Sequence, residues 1–276
     1  MKRIVITGAT SGIGKALVHA FHQAGHDVFA LGRNETLLTA LKESVGETSR
    51  LHTVKADFGH LESIRTAALT IQKAWPQGTD VLINNAAMVS SKKRFSLDGI
   101  EMQYQVNHLA VVALSHWLYP SLKRREGRIL TTGSNAHKGA RFHRKDLQDD
   151  VRYSLFRRYA QTKLYNHMFT TYCNTTLKHV RAYTIHPGVV KTDLGSKDAT
   201  PWMGKLWSFF TRKAQDPQAV PPTYLKLALA EEHLPTGYYA YEHPIKALKV
   251  TEDLTAVQTL MDDAFKRLKI NVMGQP

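Results

Sequence analysis

A doubly wound α/β fold, one parallel sheet with helices on both faces, is predicted by three observations in this 276-residue chain. Short β-branched runs alternate with helix-spaced segments along its whole length, the signature of a parallel sheet. The first run passes straight into the turn Gly8-Ala9-Thr10-Ser11-Gly12-Ile13-Gly14 and then into an apolar helical stretch. No repeat, linker or low-complexity segment breaks the alternation, so residues 1–276 read as a single domain.

Taken in order, strands are expected at 3–7, 27–31, 51–56, 81–84, 128–132, 181–185 and 237–241. Helices are expected at 12–24, 35–45, 61–75, 97–123, 153–177, 217–230 and 252–268. The first unit carries chemistry. Gly8, Gly12 and Gly14 let backbone approach a pyrophosphate, and Ser11 and Ile13 belong to the same turn at a helix N-terminus, whose free N–H groups attract anions. The second strand ends Leu31-Gly32-Arg33. An acidic residue there would bind the adenosine ribose of NAD(H), but Gly32 occupies that place and Arg33 follows. A guanidinium suits a 2′-phosphate, and Lys15 adds charge nearby, so NADP(H) is expected over NAD(H).

The helical stretch 153–177 contains Tyr159-Ala160-Gln161-Thr162-Lys163. Residues four apart share one helix face, so an ammonium is held beside a phenol. The expectation is that the cation favours phenolate and brings proton exchange toward neutral pH. Ser134 follows the run 128–132, at the carboxyl edge where open α/β sheets bind ligands.

Thr7-Gly8-x-x-x-Gly12-Ile13-Gly14, Asn84-Asn85-Ala86, Ser134 and Tyr159-x-x-x-Lys163 stand in the order and spacing of the short-chain dehydrogenases/reductases, which the chain resembles over essentially its whole length. Ser134-Asn135-Ala136-His137, Lys163-Leu164-x-Asn166 and His186-Pro187-Gly188-Val189-Val190-Lys191-Thr192-Asp193-Leu194 are similar to the retinol dehydrogenase-related branch. The resemblance implies a Rossmann fold and an oxidoreductase that exchanges a hydride between nicotinamide and an alcohol or carbonyl. Tyr159 is then the general acid or base, Ser134 holds the substrate oxygen, and Lys163 bonds the nicotinamide ribose. Asn107 supports a water relay to the lysine. Asp57 contacts adenine, Asn84 opens the segment lining the cofactor, and Pro187 and Thr192 flank the nicotinamide. Two departures stand out: Ala87 replaces a usual glycine, and Gly133 stands where serine is common, which is expected to loosen the loop carrying Ser134.

Residues 195–215 hold Trp202, Met203, Leu206, Trp207, Phe209 and Phe210 among basic side chains. Three readings stand: a substrate lid, a helix packed on the core, or a peripheral membrane contact. A lid this apolar implies an apolar alcohol or carbonyl substrate.

The net charge of +14 is read as a solvated basic surface plus a polyanion pocket, with no specific nucleic-acid partner, because no recognition module accompanies it. One cysteine, Cys173, fits a reducing compartment. No apolar run is long enough to span a bilayer, and a strand starting at residue 3 leaves no room for a leader, so a cytoplasmic protein is expected. Fourteen histidines show no metal-ligand spacing, and no bound metal is expected. His137 is placed near the pocket and His186 in the turn below the nicotinamide. The resemblance suggests a homodimer or homotetramer paired through helices 97–123 and 153–177, with a monomer left open. The rival to an enzyme is a non-catalytic NADPH-binding sensor.

Overall fold

Strands covered on both faces bury most of their side chains, and the apolar runs do so here, with Lys55 at the end of the edge strand exposed. In the computed structural model, which describes residues 1–46, 48–147, 153–191, 214–232 and 234–274, they form β1 (Arg3–Thr7), β2 (Asp27–Gly32), β3 (Leu51–Lys55), β4 (Val81–Asn84), β5 (Arg128–Thr132), β6 (Arg181–His186) and β7 (Gly237–Ala240). The sheet order is β3-β2-β1-β4-β5-β6-β7-β8. All pairings are parallel except the last, where β8 (His243–Pro244) turns back along β7. Strand order reverses between β1 and β4, which opens a crevice at their carboxyl ends.

The helices are α1 (Gly12–Gln23), α2 (Glu35–Val45), α3 (Leu61–Ala74), α4 (Met102–Tyr104), α5 (Ala110–Lys123), α6 (Leu155–Thr176), α7 (Pro221–Leu229), α8 (Lys249–Glu252) and α9 (Leu254–Leu268). Alternation along the strands divides the core in two. Ile4, Ile6, Ile83 and Leu130 pack under α1 and α7, against Leu17, Phe21, Tyr224 and Leu227. Val5, Leu82 and Ile129 face the other way, toward α3, α5, α6 and α9.

The expected helix 97–123 begins later. Ser96 donates its N–H to the Ile100 carbonyl, and Gly99 has φ +74°, so residues 95–101 make a turn instead. Glu101 then caps the helix, accepting from the N–H groups of Gln103 (2.9 Å) and Tyr104 (3.0 Å). Between α4 and α5 the helix widens into one π turn, Gln105–Leu109. The expected helix 217–230 divides into a 3₁₀ turn, Pro217–Ala219, and α7. Pro221 and Pro222 supply no N–H and so favour a fresh start there. Arg128 holds the far end of α7, its guanidinium donating to the carbonyls of Leu227 and Ala230.

Helix α6 is enclosed by its own chain. Leu164, Met168, Phe169, Tyr172 and Cys173 join one core with Val257, Leu260, Met261, Ala264 and Phe265 of α9. The rings of Tyr172 and Phe265 stand 5.7 Å apart. At its N-terminal end, Arg158 donates to Glu101 at 2.7 Å with side chains only 9% and 1% exposed. Removing one partner of such a pair costs about 3–5 kcal/mol, because the other charge stays buried alone. Glu101→Ala also uncaps α4 and is expected to lower the melting temperature by about 10 °C, since each kcal/mol moves a chain of this size by roughly 2–4 °C. A calorimetric scan checks this; a shift under about 3 °C would show that the pair contributes little.

Candidate active site

The glycine turn is built for close backbone approach. Gly8 and Gly12 hold φ values of +64° and +51°. A Cβ on Gly14 would lie 2.1 Å from the Gly8 carbonyl oxygen and 2.7 Å from Asn85 Nδ2, so only hydrogen fits. Ser11 is the N-cap of α1, yet its side chain makes no capping bond, which leaves hydroxyl and helix terminus open to a ligand. Thr7 fastens this turn to the next strand: its Oγ1 accepts from the N–H groups of Asn85 and Ala86, both at 2.9 Å. Asn85 Nδ2 donates back to the Thr7 carbonyl at 3.0 Å. This cradle fits a dinucleotide pyrophosphate.

Other expected cofactor residues fall variously. Arg33 follows β2, exposed, with no hydrogen bond or ion pair to the described residues. Asp57 is exposed beyond β3, its Oδ1 accepting from the Gly59 N–H at 2.9 Å. Asn84, at the end of β4, donates its side-chain amide to Ser115 Oγ at 3.2 Å within the core. Asn85 is the neighbour that faces the turn. Ile13 is half-buried on the first turn of α1. Pro187 accepts from Gln215 Nε2 and precedes Gly188, whose φ is +85°. Thr192 and the segment 195–213 lie outside the described residues.

The proposed catalytic groups converge at the carboxyl ends of β4 and β5. Tyr159 and Lys163 project from one face of α6, with Lys163 Nζ 5.6 Å from the centre of the phenol ring. The Ser134 hydroxyl lies close enough to the Tyr159 phenol to pull its pKa down, and it accepts from the Ala136 N–H at 3.2 Å. Lys163 donates to the Thr132 carbonyl at 2.8 Å. Thr132 is a junction the sequence did not announce: its Oγ1 also meets Tyr224 at 2.8 Å and Asn85 Oδ1 at 3.3 Å.

Burial of the pair works against the expected lowering of the phenol. Burial pushes Tyr159 up to about 12, against a smaller downward pull from Ser134. Burial brings Lys163 down to about 8. Tyr159 is therefore a neutral phenol at pH 7, ready to donate a proton. Lys163 remains mostly ammonium, directed at a carbonyl rather than at the phenol oxygen.

Asn107 lies in the π turn, and its amide is committed. Its Oδ1 accepts from the Met88 N–H at 2.7 Å, while its Nδ2 donates to the Met88 carbonyl at 2.9 Å and to Thr162 Oγ1 at 3.3 Å. Asn107 thereby ties the loop after β4 to α6. Gly133 does not loosen the Ser134 loop either. Its N–H donates to the Ile185 carbonyl at 2.7 Å, and a Cβ there would press on Thr184 Cγ2 at 2.6 Å. Among the described residues no group of three or more His, Cys, Asp or Glu is placed to hold a metal. His186 is buried before Pro187, its ring 6.2 Å from that of Tyr241.

A dinucleotide cradle beside a tyrosine–serine–lysine set on a doubly wound sheet defines a nicotinamide-dependent oxidoreductase. The short chain dehydrogenase family model matches residues 2–201, and the chain belongs to that family, in its retinol dehydrogenase-related branch. It is 34% identical to human retinol dehydrogenase 11 over 238 residues, covering 83% of this chain and 73% of the relative. Mouse retinol dehydrogenase 13 is 32% identical over 251 residues, covering 86% and 75%. An alcohol dehydrogenase from Thermococcus sibiricus, complexed with 5-hydroxy-NADP, shares the fold with a TM-score of 0.69 at 20% identity, covering 90% of this chain and all of that one. The chain is thus an oxidoreductase of alcohols and carbonyls. Among the described residues no helix is long and apolar enough to cross a membrane.

Proposed function

We propose that the chain is a cytoplasmic NADP(H)-dependent reductase or dehydrogenase of an apolar carbonyl or alcohol, with Tyr159 moving the proton. The observation that carries this reading is the grouping of Tyr159, Lys163 and Ser134 at the open end of β5, with Lys163 Nζ 5.6 Å from the centre of the phenol ring. In reduction, Ser134 holds the carbonyl oxygen and Tyr159 gives it a proton; in oxidation the phenolate form of Tyr159 takes the alcohol proton. Bound NADPH supplies the hydride. Lys163 keeps a positive charge next to the tyrosine, which offsets the negative charge left on the phenol oxygen after donation. Gly8, Ser11, Gly12, Ile13 and Gly14 would hold the pyrophosphate, Asp57 the adenine, and Arg33 with Lys15 the 2′-phosphate.

The test is NADPH consumption against aldehydes and ketones graded from small and polar to long and apolar. Turnover rising with apolar size supports the reading. Silence across the panel, with tight NADPH binding by fluorescence, would favour the sensor instead. Arg33→Ala is expected to weaken NADPH about 10- to 100-fold while leaving NADH unchanged, since a charge-assisted phosphate contact contributes roughly 1.5–3 kcal/mol. Equal loss for both cofactors would remove Arg33 from that role.

Helix α9 lies on α6, the helix through which a homodimer or homotetramer was expected to pair. The proposed working unit is one chain. Light scattering is expected to give the monomer mass of 31.1 kDa; twice or four times that value would restore the pairing.

A further inference from the structure

Behind Ser134 stands a group of rings that the proposed chemistry does not use. His137 lies in the short 3₁₀ helix Asn135–Gly139 that Ser134 begins, and His167 lies one turn beyond Lys163 on the same face of α6. Tyr238 comes from β7. All three are buried. Ring centres are 4.9 Å apart for His137–Tyr238, 5.6 Å for His137–His167 and 5.1 Å for the stacked His167–Tyr238 pair.

Polar contacts tie these rings to the turn. His137 Nδ1 is 2.6 Å from the Ser134 carbonyl oxygen and donates to it when that nitrogen carries the proton. The His137 backbone N–H reaches the same oxygen at 3.2 Å. Tyr238 donates its hydroxyl to Asn135 Oδ1 at 3.1 Å. One loop, one helix and one strand thus grip residues 134–137 together. Filling the space alone would not require imidazole, because a phenylalanine occupies similar volume without burying a polar group.

We infer that His137 is a positioning residue for Ser134: its bond to the Ser134 carbonyl, wedged from behind by His167 and Tyr238, holds the serine hydroxyl toward Tyr159. The inference rests on the Tyr159–Ser134 reading above. Ser134 Oγ must stay directed at the phenol while it takes the substrate oxygen, and its direction follows from the turn it begins, where it accepts from the Ala136 N–H at 3.2 Å. A displaced hydroxyl leaves the carbonyl misaligned with the proton donor. The cofactor cradle, built on β1 and β4, stays intact.

The test compares His137→Ala, His137→Phe and His137→Asn in NADPH-dependent turnover of the best carbonyl in the panel. Misplacement by about 1 Å costs roughly 100-fold, so kcat is expected to fall about 10- to 100-fold in the alanine and phenylalanine variants. NADPH affinity by fluorescence is expected to stay within about threefold of wild type. Asparagine, whose Nδ2 stands where His137 Nδ1 does, is expected to recover kcat to within about fivefold, the residue of a lost ring contact. Phenylalanine matching wild type, or asparagine no better than phenylalanine, overturns the proposal. Should the alanine variant fail to fold, the phenylalanine–asparagine comparison decides alone. Amide hydrogen exchange over residues 135–139 gives a readout independent of turnover, expected to be faster in His137→Phe and restored in His137→Asn. If wild type reduces nothing, the Tyr159 chemistry has failed and exchange still judges His137; unchanged exchange in His137→Phe then refutes it.

Discussion

Tyr159→Phe is expected to lower carbonyl reduction by about 1,000-fold or more while NADPH binds within about threefold of wild type, because a positioned proton donor contributes roughly 10²–10⁴. The substitution removes one oxygen from a buried ring and leaves α6 packed as before. Its hydroxyl is the group that Ser134 influences, and in the neutral state that burial favours it carries the transferable proton. Steady-state rates with fluorescence titration of NADPH check both halves. Retention of more than about a tenth of wild-type turnover would mean that another group supplies the proton.

Gly14→Ala is expected to weaken NADPH at least about 100-fold, since a shift near 1 Å in a binding backbone has that cost. The added methyl carbon would sit 2.1 Å from the Gly8 carbonyl oxygen, a backbone atom that cannot swing aside as a side chain does. The turn must open, and the helix terminus moves away from the phosphates it faces. Gly139→Ala is the control: nothing lies within 4 Å of the Cβ it would add. Affinity of Gly14→Ala within about threefold of wild type would show that the turn gives way without consequence, against the rule that close backbone approach fixes phosphate binding.

Much of this was legible because it is local. Seven parallel strands announce themselves by short β-branched or aromatic runs, and each is found within a residue of its expected end. The glycine turn and the Tyr159–Lys163 spacing are read within a few residues of sequence. What escaped depends on contacts between distant segments. Nothing around Asn84 and Asn85 says which meets the glycine turn; strand pleating decides, sending Asn84 to Ser115 and Asn85 to Thr7. The burial of Tyr159 and Lys163 was also out of reach, because spacing reveals a neighbouring cation but not how deeply both groups are buried. His137, His167 and Tyr238 come from three elements about 100 residues apart in all, and only the folded chain makes them one cluster. One signal was available: His167 continues the 159, 163 periodicity by one more turn.

The two halves of the site also mature at different times as the chain is made. The cofactor cradle closes among residues of β1, β2 and β4, so its contacts are available once the first third of the chain has emerged. Helix α6 waits longer: its outer side is covered by Leu260, Ala264 and Phe265, contacts of long sequence separation that cannot form earlier. A nascent chain stalled before α9 would therefore present a nucleotide cradle with its tyrosine helix half-clad, exposing Met168, Phe169 and Tyr172 to whatever chaperone attends it. Catalytic competence arrives last, with the final helix.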